Sequence, residues 1–255
     1  MEYAMVSVPA APIRRKPSHS REMVNQLLFG ESVKILKPGK KNWFKIRSLH
    51  DGYEGWITGT QLLPVDENNA LAKPGIVTTD MLSELKLGEQ KIHIPAGSSL
   101  PFFENGKGIL GTEEYTYTGH FFKLKEQQPS FDRVKQLATS WLNVPYLWGG
   151  RTPLGIDCSG FVQVIFKLMG IDLPRDAWQQ AQEGRIVKKF SMIQPGDLAF
   201  FDDKEEIVHV GILLGDEKII HASGKVRIDT INKKGIESKD NYRRNLKLKA
   251  IKRLF

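Results

Sequence analysis

Residues 155–162 read Gly-Ile-Asp-Cys-Ser-Gly-Phe-Val, and Cys158 is the one cysteine in 255 residues. The segment before it, VPYLWGGRTPLGID (144–157), holds two prolines and three glycines and reads as a loop. The segment after it is apolar up to Met169 and stops at Gly170, which reads as a helix over 158–169. Cys158 therefore stands where a loop becomes a helix. Unpaired backbone N–H groups and the helix dipole at such a point favour an anion, so a stabilised thiolate is expected there. The small residues Ser159 and Gly160 leave room for a substrate backbone beside the sulfur.

Two histidines downstream give the cysteine a context. After the turn at Pro195-Gly196 come three strand-like runs, DLAFF (197–201), IVHVGILL (207–214) and KIIHAS (218–223). Side chains alternate along a strand, so His209 faces opposite to Val208, Val210 and Ile212. An imidazole among buried apolar residues costs free energy unless it has a partner. His221 breaks the next run in the same way, twelve residues later, a spacing that allows adjacent antiparallel strands joined by the GDEK turn. A cysteine at a helix start followed by two such histidines fits a nucleophile, a general base (His209) and a residue that orients the base (His221). A zinc site would need further ligands, and His19, His50, His93 and His120 all lie in the first half of the chain. No metal and no cofactor are expected.

The first half has a different texture. LLFGESVKILK (27–37), NWFKIRSL (42–49) and GYEGWIT (52–58) are short apolar or alternating runs separated by PGKK and HDG turns, the pattern of a small barrel. LPVDENNALAKPG (63–75) reads as a linker. Residues 76–126 are again strand-rich. Leu85-Lys-Leu-Gly-Glu echoes Leu27-Leu-Phe-Gly-Glu at a spacing of about 58 residues, which would make a second, degenerate copy of the barrel. At KEQQPS (125–130) the period changes: Ser130 can cap a helix carrying Phe131, Val134, Leu137, Ala138 and Trp141 on one face. Helices followed by an antiparallel sheet make an α+β domain. The boundaries expected are 1–66, 67–127 and 128–255.

Composition limits the remaining classes. Hydrophobic residues at 40% and charged residues at 26% describe a globular protein, and a single cysteine excludes an intramolecular disulfide. No run approaches the roughly 18 apolar residues of a membrane span. The first twenty residues lack a basic segment followed by an apolar one, so no signal peptide is read and a cytoplasmic location is expected. The net charge of +8 matches the sum over residues 225–255, eleven Lys/Arg against three Asp/Glu. Much of that stretch alternates, as in Leu246-Lys-Leu-Lys-Ala-Ile-Lys, which reads as an edge strand with lysines facing solvent. Only Tyr242 and Phe255 interleave with these charges, so base stacking has little support and no nucleic-acid partner is expected.

The motifs Tyr146-Leu-Trp-Gly-Gly, Asp157-Cys-Ser-Gly, Leu173-Pro-Arg-Asp-Ala, Pro195-Gly-Asp-Leu, His209-Val-Gly-Ile and His221-Ala-Ser, in this order over residues 130–255, resemble the NlpC-type papain-like cysteine peptidases. Gly-Glu before a strand, Trp-Phe-Lys-Ile and Gly-Tyr-x-Gly-Trp-Ile, over residues 5–64, resemble bacterial SH3-like domains. The combination is similar to the γ-D-glutamyl-L-diamino acid endopeptidases, which cleave cell-wall stem peptides after L-Ala-γ-D-Glu.

The resemblance implies an α+β papain-like peptidase domain preceded by one or two small all-β SH3-like barrels. It implies hydrolysis of the bond between γ-D-Glu and L-Lys or meso-diaminopimelate in murein peptides with a free N-terminal L-Ala, and the lack of a leader suggests recycling of such peptides. It makes Tyr146 a hydroxyl donor to the oxyanion beside the Cys158 N–H. It places Trp148, Asp157, Ser159 and Asp176 along the substrate, although Asp157 and Asp176 could equally cap helices. It also implies an acid and an aromatic from the barrel that read the substrate's ammonium group, which fall on Glu22 and Tyr53. Glu22 could instead be a solvated charge and Tyr53 a core residue. Ala177 stands where the family can carry a serine. Two other functions fit parts of the pattern: a wall-peptide-binding protein with a catalytically weak C-terminal domain, and an acyltransferase using the same Cys, His and His.

Overall fold

The computed structural model describes residues 1–203, 205–237 and 246–255, so the expectation placed on Tyr242 lies outside the described residues. The chain divides into two compact units. The first comprises Met1–Gln127 together with Trp148–Pro153, and the second Gln128–Leu147 together with Leu154–Phe255.

The first unit begins with β1 (Tyr3–Val6), β2 (Ala10–Arg14), β3 (Met23–Leu28), β4 (Ser32–Pro38), β5 (Trp43–Ser48), β6 (Glu54–Thr58) and β7 (Leu62–Val65). They join in the order β3-β2-β6-β5-β4-β1-β7 around a core of Val6, Ile13, Leu27, Val33, Ile46 and Ile57. β1 is buried on both faces. Ala4 and Val6 enter this core, while Met5 points into a second one with Phe29, Leu85, Ile94, Tyr115 and Tyr117. β7 does the same, with Leu62 in the first core and Leu63 and Val65 against the second. The expected linker at 63–75 is therefore overturned. Its start is a strand paired with β1, and Asp66 then caps a short helix, α1 (Glu67–Leu71), whose Glu67 accepts the Tyr3 hydroxyl at 2.8 Å.

The second core belongs to β8 (Ile76–Thr78), β9 (Leu82–Leu87), β10 (Gln90–Pro95), β11 (Lys107–Leu110), β12 (Glu113–Tyr117) and β13 (Phe121–Lys123). Four of them form a sheet in the order β10-β9-β12-β11, and β13 pairs with β8. The two echoing pentapeptides do different jobs here. Gly88-Glu89 turns the β9–β10 hairpin, whereas Gly30-Glu31 leads from β3 to β4, which are not neighbours. Gly30 (φ +75°) lies so close to Ser99 that a Cβ would meet its carbonyl oxygen at 2.2 Å, so only glycine fits. The echo is one of composition and not of supersecondary structure. The strand β14 (Arg151–Thr152) completes this unit.

In the second unit Ser130 accepts from the Arg133 N–H and starts α2 (Phe131–Thr139) as its spacing required. After β15 (Gly155–Ile156) comes α3 (Cys158–Lys167), all of whose residues are buried, as an apolar helix demands. The helix α4 (Ala177–Gln180) and the strands β16 (Arg185–Ile186), β17 (Leu198–Asp203), β18 (Glu206–Gly215), β19 (Lys218–Ser223), β20 (Lys225–Asn232), β21 (Gly235–Glu237) and β22 (Lys247–Arg253) follow. The sheet runs β16-β22-β17-β18-β19-β20-β21, and a bridge from Gly235 to Lys247 joins β21 back to β22. Ala199, Phe201, Leu213, Ile219, Ile231 and Ile251 fill its core.

β22 is thus not the edge strand expected from its lysines. It is paired with β17 along one side and with β16 and β21 on the other, and Lys247 and Lys249 point outward from an interior position. Alternation reports a one-sided strand and is blind to whether its backbone is paired. α3 lies against β18 and β19. Among the described residues no helix is long and apolar enough to cross a membrane.

Candidate active site

The first residue of α3 is Cys158, and Asp157 before it is the helix cap, its Oδ1 accepting from the Gly160 N–H at 2.7 Å. Arg175 holds both carboxylate oxygens of Asp157 and also donates to the Ser159 hydroxyl at 2.8 Å. Gln180 Nε2 donates to the Ser159 carbonyl at 3.0 Å and to that of Pro174 at 2.8 Å. Asp157, Ser159 and Arg175 are all buried. Asp157 and Ser159, expected along the substrate, are thus engaged in holding the start of α3. Asp157 does cap α3, as the sequence allowed. Asp176 occupies the cap position of α4, where Gln179 Oε1 accepts from its backbone N–H at 3.2 Å. Arg175 stood in the quoted Leu-Pro-Arg-Asp motif without a role. Its signal was a charge beside a proline in a short apolar loop, which burial forces to find a carboxylate.

The thiol of Cys158 lies within hydrogen-bond reach of the backbone N–H of Val210, the residue after His209. Burial pushes this thiol up to about 12 and the Asp157 carboxylate adds to the rise. The Val210 and Ser159 N–H groups and Arg175 act in the other direction without cancelling it. The expectation of a thiolate at rest is therefore corrected: desolvation outweighs the helix start, and the resting sulfur carries its proton.

His209 on β18 and His221 on β19 are both buried, and His209 Nε2 lies 2.8 Å from His221 Nδ1. The strands are antiparallel neighbours with Ile212 opposite Ile220 and Leu213 opposite Ile219, which puts Gly211 across from His221. A side chain at 211 would meet the His221 Cβ at 2.9 Å, so the glycine makes the room in which the two rings meet. His221 Nε2 in turn lies 3.1 Å from Asp229 Oδ2, and Arg227 Nη2 donates to Asp229 Oδ1 at 2.9 Å. Sequence reasoning missed Asp229 and Arg227. Their signal was two opposite charges alternating with Val226, Ile228 and Thr230 in one run.

Tyr146 is half-buried, and its backbone N–H donates to the Gly224 carbonyl at 2.9 Å. Trp148, Glu22 and Tyr53 belong to the first unit. Trp148 is 59% exposed, and its indole Nε1 donates to Glu22 Oε1 at 3.0 Å. Gly149 after it (φ +76°) lets the backbone approach β3, where a Cβ would meet the Met23 carbonyl oxygen at 2.7 Å. Arg151 then makes a fully buried bidentate pair with Glu31, at 2.8 and 2.9 Å. Glu22 also pairs with Arg15, 2.6 Å from Nε to Oε2. It is therefore neither the bare carboxylate nor the lone solvated charge that the sequence offered. Tyr53 is half-buried just ahead of β6 and lines a cleft with Arg15, Val24, Lys45 and Trp56.

A thiol at a buried helix start, a strand histidine whose neighbour touches the sulfur, and a second histidine bonded to the first define a papain-like cysteine peptidase. The chain belongs to the NlpC/P60 family. Residues 143–244 match that family and residues 13–62 match the bacterial dipeptidyl-peptidase Sh3 domain. The chain is 31% identical to the γ-D-glutamyl-L-lysine dipeptidyl-peptidase of Bacillus subtilis, over 77% of this chain and 71% of that one. It is 28% identical to dipeptidyl-peptidase 6 of Lysinibacillus sphaericus, over 86% and 87%. The crystal structure of an NlpC/P60 family protein from Bacillus cereus superposes with a TM-score of 0.83 at 22% identity, over 98% of this chain and 99% of that one, and so shares the fold.

Proposed function

We propose that this peptidase hydrolyses the amide between γ-D-Glu and the diamino acid of murein stem peptides bearing a free N-terminal L-Ala, in the recycling of such peptides in the cytoplasm. The observation that carries the reading is the Cys158 thiol at the backbone N–H of Val210, the residue after His209, with His209 bonded to His221. The relatives named γ-D-glutamyl-L-lysine dipeptidyl-peptidase support the bond chosen.

In the first step the Cys158 sulfur attacks the γ-carbonyl carbon while His209 takes the thiol proton. Burial raises the thiol, which favours moving its proton to His209 as the sulfur attacks. The oxyanion is held by the Cys158 N–H and the Tyr146 hydroxyl. When the C–N bond breaks, the proton on His209 passes to the leaving amine and a thioester remains. Water, deprotonated by His209, then attacks the thioester and frees L-Ala-γ-D-Glu and the thiol. Asp176 is the residue of the peptidase unit proposed to meet the L-Ala end, while Asp157 and Ser159 hold the start of α3.

The test is incubation with L-Ala-γ-D-Glu-L-Lys and with its meso-diaminopimelate analogue, followed by mass analysis. Release of the dipeptide and the free diamino acid supports the reading. Cleavage at another bond, or an adduct in which the dipeptide has moved to an added amine, replaces it.

A further inference from the structure

β20 reads Lys-Val-Arg-Ile-Asp-Thr-Ile-Asn, and its Asp229 is buried behind the two histidines. Burial pushes the Asp229 carboxyl up, but the bonds from His221 and Arg227 outweigh it and hold the group below the usual carboxylate range. An ionised carboxylate only accepts. Both contacts must therefore be donations to it: Arg227 Nη2 to Oδ1, and an N–H on His221 Nε2 to Oδ2.

The consequence travels along the chain of bonds. A neutral imidazole has one N–H, so a proton on His221 Nε2 leaves Nδ1 of the same ring as an acceptor. The 2.8 Å contact to His209 is then made by a proton on His209 Nε2. That in turn places the His209 lone pair on Nδ1. His221 by itself would not decide this, since the inverted arrangement, with Nδ1 of His221 donating, fills the same space. It would leave His209 with its proton on Nδ1.

We propose that Asp229, held by Arg227, is a positioning residue of this enzyme: it sets the tautomers of His221 and His209 so that the lone pair that takes the Cys158 proton is on His209 Nδ1. The proposal rests on the reading of His209 as the base, and its test is chosen to be readable without turnover.

The substitution Asp229→Asn keeps the shape and removes one acceptor. Arg227 still demands an oxygen, so the amide NH₂ turns to His221 Nε2 and inverts both rings. Nitrogen-15 spectra of histidine-labelled protein, taken where both rings are neutral, show which ring nitrogen carries the proton. In the wild type His209 and His221 should both carry it on Nε2, and in Asp229→Asn both should carry it on Nδ1. In turnover, Asp229→Asn should lower kcat by about 10²- to 10⁴-fold, the range of general-base catalysis, with little change in KM. Adding Arg227→Met releases the amide oxygen to accept from His221, and the double variant should regain about tenfold or more in kcat over Asp229→Asn alone.

A merely structural Asp229 would make the double variant worse than the single one. Wild-type spectra with the proton on Nδ1 of either ring would overturn the proposal without any variant. So would wild-type kcat in Asp229→Asn. Spectra as expected with no turnover in the wild type would leave the tautomer assignment standing and remove the function read above.

Discussion

Arg175 grips both oxygens of Asp157, Nη1 to Oδ1 at 3.0 Å and Nη2 to Oδ2 at 2.5 Å, inside the protein. The same Asp157 oxygen caps α3 through the Gly160 N–H, so the place of Cys158 depends on a charge supplied by the loop before α4.

Replacing Arg175 by Met should leave Asp157 buried without its counter-charge, at a cost of about 3–5 kcal/mol. Urea unfolding measures it. The double variant Arg175→Met/Asp157→Asn, which removes the charge but keeps a cap, should recover part of the loss. A single variant as stable as the wild type would show that the pair does not hold the helix start.

Cys158→Ala should abolish turnover and preserve the fold. The alkylation rate of the wild type by iodoacetamide should keep rising above the ordinary thiol pKa of about 8.5, because burial raises the thiol to about 12. The sign for stability follows. The folded thiol holds its proton more tightly than the unfolded one, so its contribution is intact below about 8.5 and is lost as pH rises towards about 12. Cys158→Ala should therefore gain on the wild type as the pH is raised through that window. Alkylation that levels off near neutral pH would contradict the raised value.

His221→Ala should lower kcat more than it raises KM, and His209→Ala should be at least as severe. Gly211→Ala tests the same pair from the outside. Its methyl would lie 2.7 Å from Ile219 Cδ1 and 2.9 Å from His221 Cβ, an overpacking that costs about 1–3 kcal/mol and moves the ring. Steady-state kinetics with a folding check should show kcat falling in a protein that is still folded. A silent Gly211→Ala would mean that the rings tolerate displacement.

Glu22→Ala is expected to be milder than loss of a bare, buried carboxylate. Glu22 is partly exposed and already paired with Arg15, and such pairs contribute about 0.2–1 kcal/mol. On tripeptides with free and with acetylated L-Ala, the wild type should prefer the free one, and the variant should lose at most about fivefold of that preference. A larger loss would show that substrate displaces Arg15 and takes the carboxylate over. No change would move recognition of the ammonium elsewhere, with Asp176 next to be tested.

Much of this protein was legible in its residues. The loop before Cys158 and the apolar run after it required a helix start at that residue, and the His209 and His221 runs required adjacent strands, because period and turn chemistry are local properties. Ser130 announced α2 for the same reason.

What the tertiary structure alone decided concerns partners and burial. The sequence shows that Leu62–Val65 and Tyr3–Val6 are apolar, but only packing shows that each serves two cores, which turned an expected linker into a strand. Lysines on alternate positions of β22 reveal one wet face and say nothing of the backbone bonds on either side of it. The charge of Cys158 was misjudged because a helix start is visible in the chain whereas desolvation is the work of everything packed around it. The sequence marks Asp229, Arg227 and Arg175 as charges within apolar runs but does not name their partners. Their charges could be buried only where another strand or loop supplied the opposite charge or a donor, and that pairing exists only once the chain has folded.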